Sequence, residues 1–164
     1  MLTIAALALA IPAAPAVAHD PEARSQDMEI TRKEDMQTVE GPAEYFTGRA
    51  TITGQFAREA PSNLTGAIVH FEPGARTAWH KHPRGQTLIV TEGVGWTQLE
   101  GGETHEFYEG DILWCPADKK HWHGATPTQG MTHIALQEKN AEGSNVEWME
   151  HVPDEVYLAG PKKD

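Results

Sequence analysis

The chain has 164 residues, a formal net charge of −11 and 39% hydrophobic residues. That length suits one domain with a real core and is short for two. The charge argues against nucleic acid and against an anionic membrane as partners, because both call for a basic surface.

Residues 1–18, "MLTIAALALAIPAAPAVA", carry no charge. An apolar run from Leu2 to Ile11 leads to Ala16-Val17-Ala18, an A-x-A pattern just before His19. The segment reads as a secretory signal peptide, since the run is too short for a membrane anchor. The expectation is an exported or periplasmic protein, or a cytoplasmic one if the leader is not functional. Residues 19–44 are polar and of mixed charge, an arm with a candidate edge strand.

From Tyr45 onward, short apolar or alternating runs are separated by Gly, Pro and Asp. Strands are predicted over 50–56, 65–71, 77–80, 86–91, 95–99, 104–108, 111–115, 120–125 and 132–137, segments rich in Val, Ile, Thr, Trp and Phe. "EPGA" at 72–75, "EGGE" at 100–103 and "YEGD" at 108–111 read as turns, the second closing a hairpin between Gln98 and Thr104. A strand over 146–149 precedes a helical turn over 153–158 that would pack as a lid or edge cover. Many short strands without intervening helices predict a single all-β domain over 45–158, a sandwich or small barrel, with a tail at 159–164. Cys115 is the one cysteine, so no intramolecular disulfide forms, and its apolar setting reads as a buried thiol. No nucleotide-binding glycine loop is present.

The histidines are concentrated. His80 and His82 stand at i, i+2, which in a strand puts both on one face, and His121 and His123 repeat the spacing. His133 lies in the following strand with Gln137 on the same face. Imidazoles from neighbouring strands of a barrel can converge on one divalent ion; nitrogen and oxygen donors suit manganese, iron, nickel or zinc. Gln86, four positions after His82, stands where such a site would most naturally use a carboxylate.

"GARTAWHKHPRGQTLIVTEG", residues 74–93, resembles the first motif of the cupins, and "GDILWCPADKKHWHGA", residues 110–125, resembles the second. Asp118 and Ala125 depart from the usual glycine and asparagine of that second motif. The resemblance implies a double-stranded β-helix, or jelly-roll, barrel around a central metal. A narrower resemblance rests on "FEPGARTAWHKHPRGQTLIVTEGVGW", "KKHWHGATPTQGMTHIALQE" and "VEWMEHV". On these, residues 41–157 are similar to the small bacterial cupin-type hydroxynitrile lyases, the (R)-mandelonitrile lyases. That resemblance implies His80, His82, Gln86 and His121 as ligands of Mn2+, with Fe2+, Zn2+ and Ni2+ as alternatives. It implies His123 and His133 in the pocket as acid or base, and Ala67, Val69 and Gln137 beside a small-molecule substrate. Small cupins and exposed barrel edges together suggest a homodimer or homotetramer.

With four neutral donors the ion would keep its full charge. A glutamate at position 86 would cancel one unit, an effect of several kcal/mol at about 2 Å even with generous screening. Neutrality favours polarising a hydroxyl or carbonyl over redox cycling. The expected activity is metal-dependent cleavage or formation of an aromatic cyanohydrin such as (R)-mandelonitrile, with aldehyde and HCN on the other side. The metal would act as Lewis acid and a pocket histidine as acid and base. An oxygen-dependent cupin dioxygenase and a non-catalytic small-molecule-binding cupin are the alternatives. Trp79, Trp96, Trp114 and Leu88 give the barrel apolar walls, and the sequence leaves open which of them point inward.

Overall fold

A computed structural model describes residues 28–162. The signal-peptide reading of 1–18 lies outside the described residues, as does much of the polar arm. The chain divides into two units, Met1–Ile30 and Thr31–Asp164. Of the first, residues 28–30 are described; they are exposed and have no regular structure.

All regular elements among the described residues belong to the second unit. A 3-10 turn at Lys33–Asp35 is followed by β1 (Thr38–Glu40), β2 (Phe46–Thr47), β3 (Ala50–Ala57), β4 (Leu64–Phe71), β5 (Arg76–Thr77) and β6 (His80–Lys81). Then come β7 (Gln86–Leu99), β8 (Thr104–Tyr108), β9 (Ile112–Cys115), β10 (His121–Ala125), β11 (Met131–Glu138), β12 (Glu147–Trp148) and the helix α1 (Asp154–Ala159). The predicted strand over 77–80 is two short strands, β5 and β6, interrupted at Ala78 and Trp79.

One face of the barrel runs β1-β3-β4-β11-β7-β9. The other runs β8-β7-β10-β5-β2, with β6 and β12 added along β10. All pairs are antiparallel, and β7 serves both faces, so the sheet curls on itself as a jelly roll. The predicted strands 86–91 and 95–99 are therefore halves of β7. The change of sheet falls at Gly93, whose φ is +78°. A Cβ there would lie 2.0 Å from the Gly130 carbonyl oxygen, so glycine is what lets the strand bend through. The hairpin at 100–103 pairs Gln98 with Thr104, as its turn residues predict.

Alternation along the strands fills the interior with Phe46, Val69, Phe71, Val90, Phe107 and Met131. On β10 it sends His121 and His123 inward and Trp122 to the opposite side, into a second cluster with Trp79, Val152 and Tyr157. Helix α1 covers that cluster. Tyr157 Oη donates to the Ala125 carbonyl at 2.8 Å, the Arg76 guanidinium lies 4.4 Å from the Tyr157 ring, and Arg76 pairs with Asp154. Of the four apolar residues whose direction the sequence leaves open, Trp79 and Trp96 pack in the outer cluster, and Trp114 is 57% exposed. Leu88 is the one that is fully enclosed. Tryptophans flanking a turn carry no sequence mark of which side they take.

Candidate metal centre

Strand β6 supplies His80, the residue just past it is His82, and β10 supplies His121. All three are buried, with one ring nitrogen from each lying within 4.8 Å of the others. The far side of each ring is pinned by a backbone carbonyl. His80 Nδ1 lies 2.9 Å from the Ala78 oxygen, His82 Nδ1 2.6 Å from that of Asn145, and His121 Nδ1 2.9 Å from that of Lys119. A carbonyl only accepts, so each Nδ1 carries the proton and each Nε2 is left with a bare lone pair.

His82 Nε2 is buried without a hydrogen-bond partner among the described residues. His121 Nε2 faces Gln86 Oε1 at 3.2 Å, while the Gln86 amide donates to Gln137 Oε1 at 3.3 Å. Two acceptors thus confront each other in a buried space, and a cation between them resolves the conflict. Burial holds the imidazoles neutral. It pushes His80 well below its ordinary range, helped by His121 and His82; it brings His82 down to about 4 and lowers His121. The residues therefore fit a divalent ion held by three neutral imidazoles and a neutral amide oxygen. Cys115 is not among them: burial raises its thiol to about 11, and its sulfur rests against the Pro116 and Lys119 carbonyls.

A cavity of about 300 Å³ opens beside this cluster, at the small end of ligand pockets. His80, His82, Gln86, His123 and His133 supply its polar lining, and Ala67, Val69 and Gln137 also line it. Its aromatic walls are Tyr45, Phe46, Phe71 and Trp148. Tyr45 and Trp148 stack at 4.7 Å between ring centres, and Trp148 also lies 4.8 Å from His80. Phe71 was within reach of sequence reasoning, because it continues the inward positions Ala67 and Val69. Trp148 lies in the "VEWMEHV" stretch and Asn145 just before it, but the sequence does not show that this segment folds back onto the site.

His123 stands between the ligands and His133. Its ring centre is 5.1 Å from His80, 5.9 Å from His121 and 5.0 Å from His133. His133 is fully buried, with His123 and Phe71 as ring neighbours. Neither ring nitrogen of His133, nor Nδ1 of His123, has a partner among the described residues. Burial keeps both neutral, with His123 well below its ordinary range, reinforced by His133, and His133 brought down to about 3.

This has a consequence for stability. Below about pH 6.5 the unfolded chain protonates its histidines while folded His133 stays neutral down to about 3. The unfolded state then binds more protons, so stability falls as pH falls, by up to about 1.4 kcal/mol per pH unit for each such histidine. Above that range the contribution is flat. Urea unfolding of metal-free protein between about pH 7.5 and pH 5 is expected to show this loss; a stability that is level across the interval would contradict it.

A curled all-β barrel with three converging histidines on its inner wall defines a metal-site β-barrel of the jelly-roll class, and the comparisons agree. A profile described as "Cupin domain" matches residues 67–135. The chain belongs to the cupin family. It is 54% identical over 130 residues to an (R)-mandelonitrile lyase of Granulicella tundricola, covering 79% of this chain and 98% of the relative. A cupin-like protein of Thermotoga maritima superposes with a TM-score of 0.68 at 34% identity, covering 76% of this chain and 94% of that one. A polyketide cyclase of Streptomyces resistomycificus, at 18% identity and a TM-score of 0.56, covers 80% of this chain and 91% of its own, and shares the fold alone. The protein is thus a metal-dependent type of cupin enzyme related to a hydroxynitrile lyase.

Proposed function

We propose that the protein cleaves aromatic cyanohydrins such as (R)-mandelonitrile to an aldehyde and HCN, and catalyses the reverse addition. The observation that carries this reading is the juxtaposition of an all-neutral donor set with two buried imidazoles, His123 with Nδ1 unpartnered and His133 with both ring nitrogens unpartnered among the described residues, at the inner end of an aromatic cavity. Held by His80, His82, His121 and Gln86, a divalent ion supplies Lewis acidity that stabilises negative charge on the substrate oxygen. Mn2+ is the ion the family resemblance favours; Fe2+, Zn2+ and Ni2+ suit the same donors.

The chain's own groups do the rest. Phe46, Phe71 and Trp148 hold the substrate ring and exclude water. His123, beside the ligands, accepts the hydroxyl proton. The bond from the carbinol carbon to cyanide then breaks, its electron pair leaving with cyanide as the C=O double bond forms. The imidazolium returns the proton to give HCN, so atoms and charge balance. A buried imidazole whose charged form is disfavoured gives that proton up readily. His133, in ring contact with His123, sets its environment from behind.

The negative charge continues to argue against nucleic acid and anionic membranes as partners. The leader-like residues 1–18 support export.

The test is cleavage of mandelonitrile by metal-loaded wild type and by Gln86→Glu. The variant is expected to keep its metal and to lose at least about tenfold in kcat, because the carboxylate quenches the charge that stabilises the oxygen. A variant equal to wild type would remove the charge argument. A fully loaded wild type that releases no HCN would overturn the assignment.

A further inference from the structure

An amide, unlike a carboxylate, can hold a cation with one end only. Gln86 serves the site when Oε1 points inward and obstructs it when the NH2 group does, and the two ends are nearly equal in size. Its orientation has to be set by a neighbour. The register supplies one. Gln86 of β7 stands opposite Gln137 of β11, and Gln137 stands opposite Thr65 of β4, so the three side chains form one row across the sheet.

The row begins at a group with no choice of role. The Gln137 backbone carbonyl can only accept, and the Thr65 hydroxyl, 2.9 Å away, donates its one proton to it. The hydroxyl oxygen is left with acceptor capacity alone. It accepts from Gln137 Nε2 at 3.2 Å and from Asn145 Nδ2 at 2.8 Å, which fills both lone pairs. With its nitrogen committed to Thr65, Gln137 turns Oε1 toward Gln86, whose Nε2 donates to it at 3.3 Å. Gln86 Oε1 is thereby delivered to the ligand cluster, 3.2 Å from His121 Nε2. The Asn145 bond has its own effect, because the backbone carbonyl of the same residue accepts from His82 Nδ1 at 2.6 Å. Thr65 is buried, so the bonds it makes are costly to leave unmade.

On the reading of Gln86 and His82 as metal ligands, we propose that Thr65 is a positioning residue of the site. Its hydroxyl sets the polarity of the amide row that presents the Gln86 oxygen, and through Asn145 it seats His82. Without the hydroxyl, Gln137 is free to turn over and offer its nitrogen to Gln86, and Gln86 answers by turning its oxygen away from the cluster.

Titration of the metal-free protein with Mn2+, without substrate, tests this, with free ion read from its electron paramagnetic resonance signal. Thr65→Val keeps the side-chain shape and removes the hydroxyl; it is expected to raise the Mn2+ dissociation constant about 10- to 100-fold. Thr65→Ser restores the hydroxyl and is expected to stay within about threefold of wild type. The Gln86→Glu background separates positioning from packing. A carboxylate presents oxygen either way round, so Thr65→Val is expected to cost at least about threefold less there than in the wild-type background. An equal loss in both backgrounds would make Thr65 merely structural and overturn the proposal. So would a valine variant that binds Mn2+ like wild type, or a serine variant no better than valine. Should circular dichroism show the valine variant unfolded, Gln137→Leu breaks the row at its next link and is expected to weaken Mn2+ binding to a similar degree; unchanged affinity there would overturn the proposal too. Cyanohydrin cleavage is read separately: Mn2+ binding in the expected pattern without release of HCN would sink the lyase assignment and leave the role of Thr65 standing.

Discussion

Replacing His80 by alanine is expected to abolish stoichiometric metal binding and to lower kcat/KM for cyanohydrin cleavage by at least about 10³-fold. His80 is the hub of the cluster. Its ring centre lies 4.2 Å from that of His121 and 5.1 Å from those of His82 and His123. Its proton is committed to the Ala78 carbonyl, so its lone pair is aimed before any ion arrives. Truncation leaves two imidazoles and an amide, and the Lewis-acid contribution of several kcal/mol goes with the ion. Metal analysis and kinetics on the same sample check this, with circular dichroism separating loss of the site from loss of the fold. A variant that holds a full complement of metal and cleaves substrate normally would remove His80 from the site.

Alanine at His123 is expected to lower kcat by about 10² to 10⁴-fold while leaving metal content unchanged. His123 is the imidazole that touches both the ligand rings and His133, so it is the one positioned to take a proton from an oxygen held at the ligands. His133→Ala should cost less, because His133 reaches the site through His123. The double variant should be little worse than His123→Ala alone, since residues acting as a unit do not add. If His133→Ala carried the larger loss, the order of the two would be reversed; if neither slowed the reaction, the proton transfer would belong to another group.

Much of this was legible in the sequence because the signals were local. Paired H-x-H spacings place imidazoles on one strand face whatever the rest of the chain does, and glycine-rich turns mark hairpins. Strand spacing pointed to an all-β sandwich or small barrel, and the resemblance to the cupins chose the jelly roll. What escaped was set by distant partners. Gly93 looked like a break between strands, yet it is the bend at which β7 leaves β11 and continues against β10. The two-residue strand β2 has no periodicity to read and was not predicted; register against β5 defines it. The aromatic walls depend on how the C-terminal segment folds back, which brings Trp148 onto Tyr45 and the Asn145 carbonyl onto His82. Of the tryptophans whose direction the sequence leaves open, Trp96 packs on Tyr157 of α1, Trp79 joins the same outer cluster and Trp114 is exposed.

Gln86 is where local and distant information meet. Sequence alone gives a neutral donor beside two histidines. The structure adds why its oxygen faces inward: Gln137 accepts from its amide nitrogen, and Gln137 in turn donates to Thr65 at 3.2 Å. Oxygen orientation and charge neutrality together make the site a Lewis-acid cradle.

The most direct measurement is titration of the metal-free protein with Mn2+ while release of aldehyde from mandelonitrile is followed. No cleavage is expected without metal, then a linear rise that breaks at one ion per chain. Undiminished cleavage by metal-free protein, or one bound ion per chain with no cleavage, would contradict it.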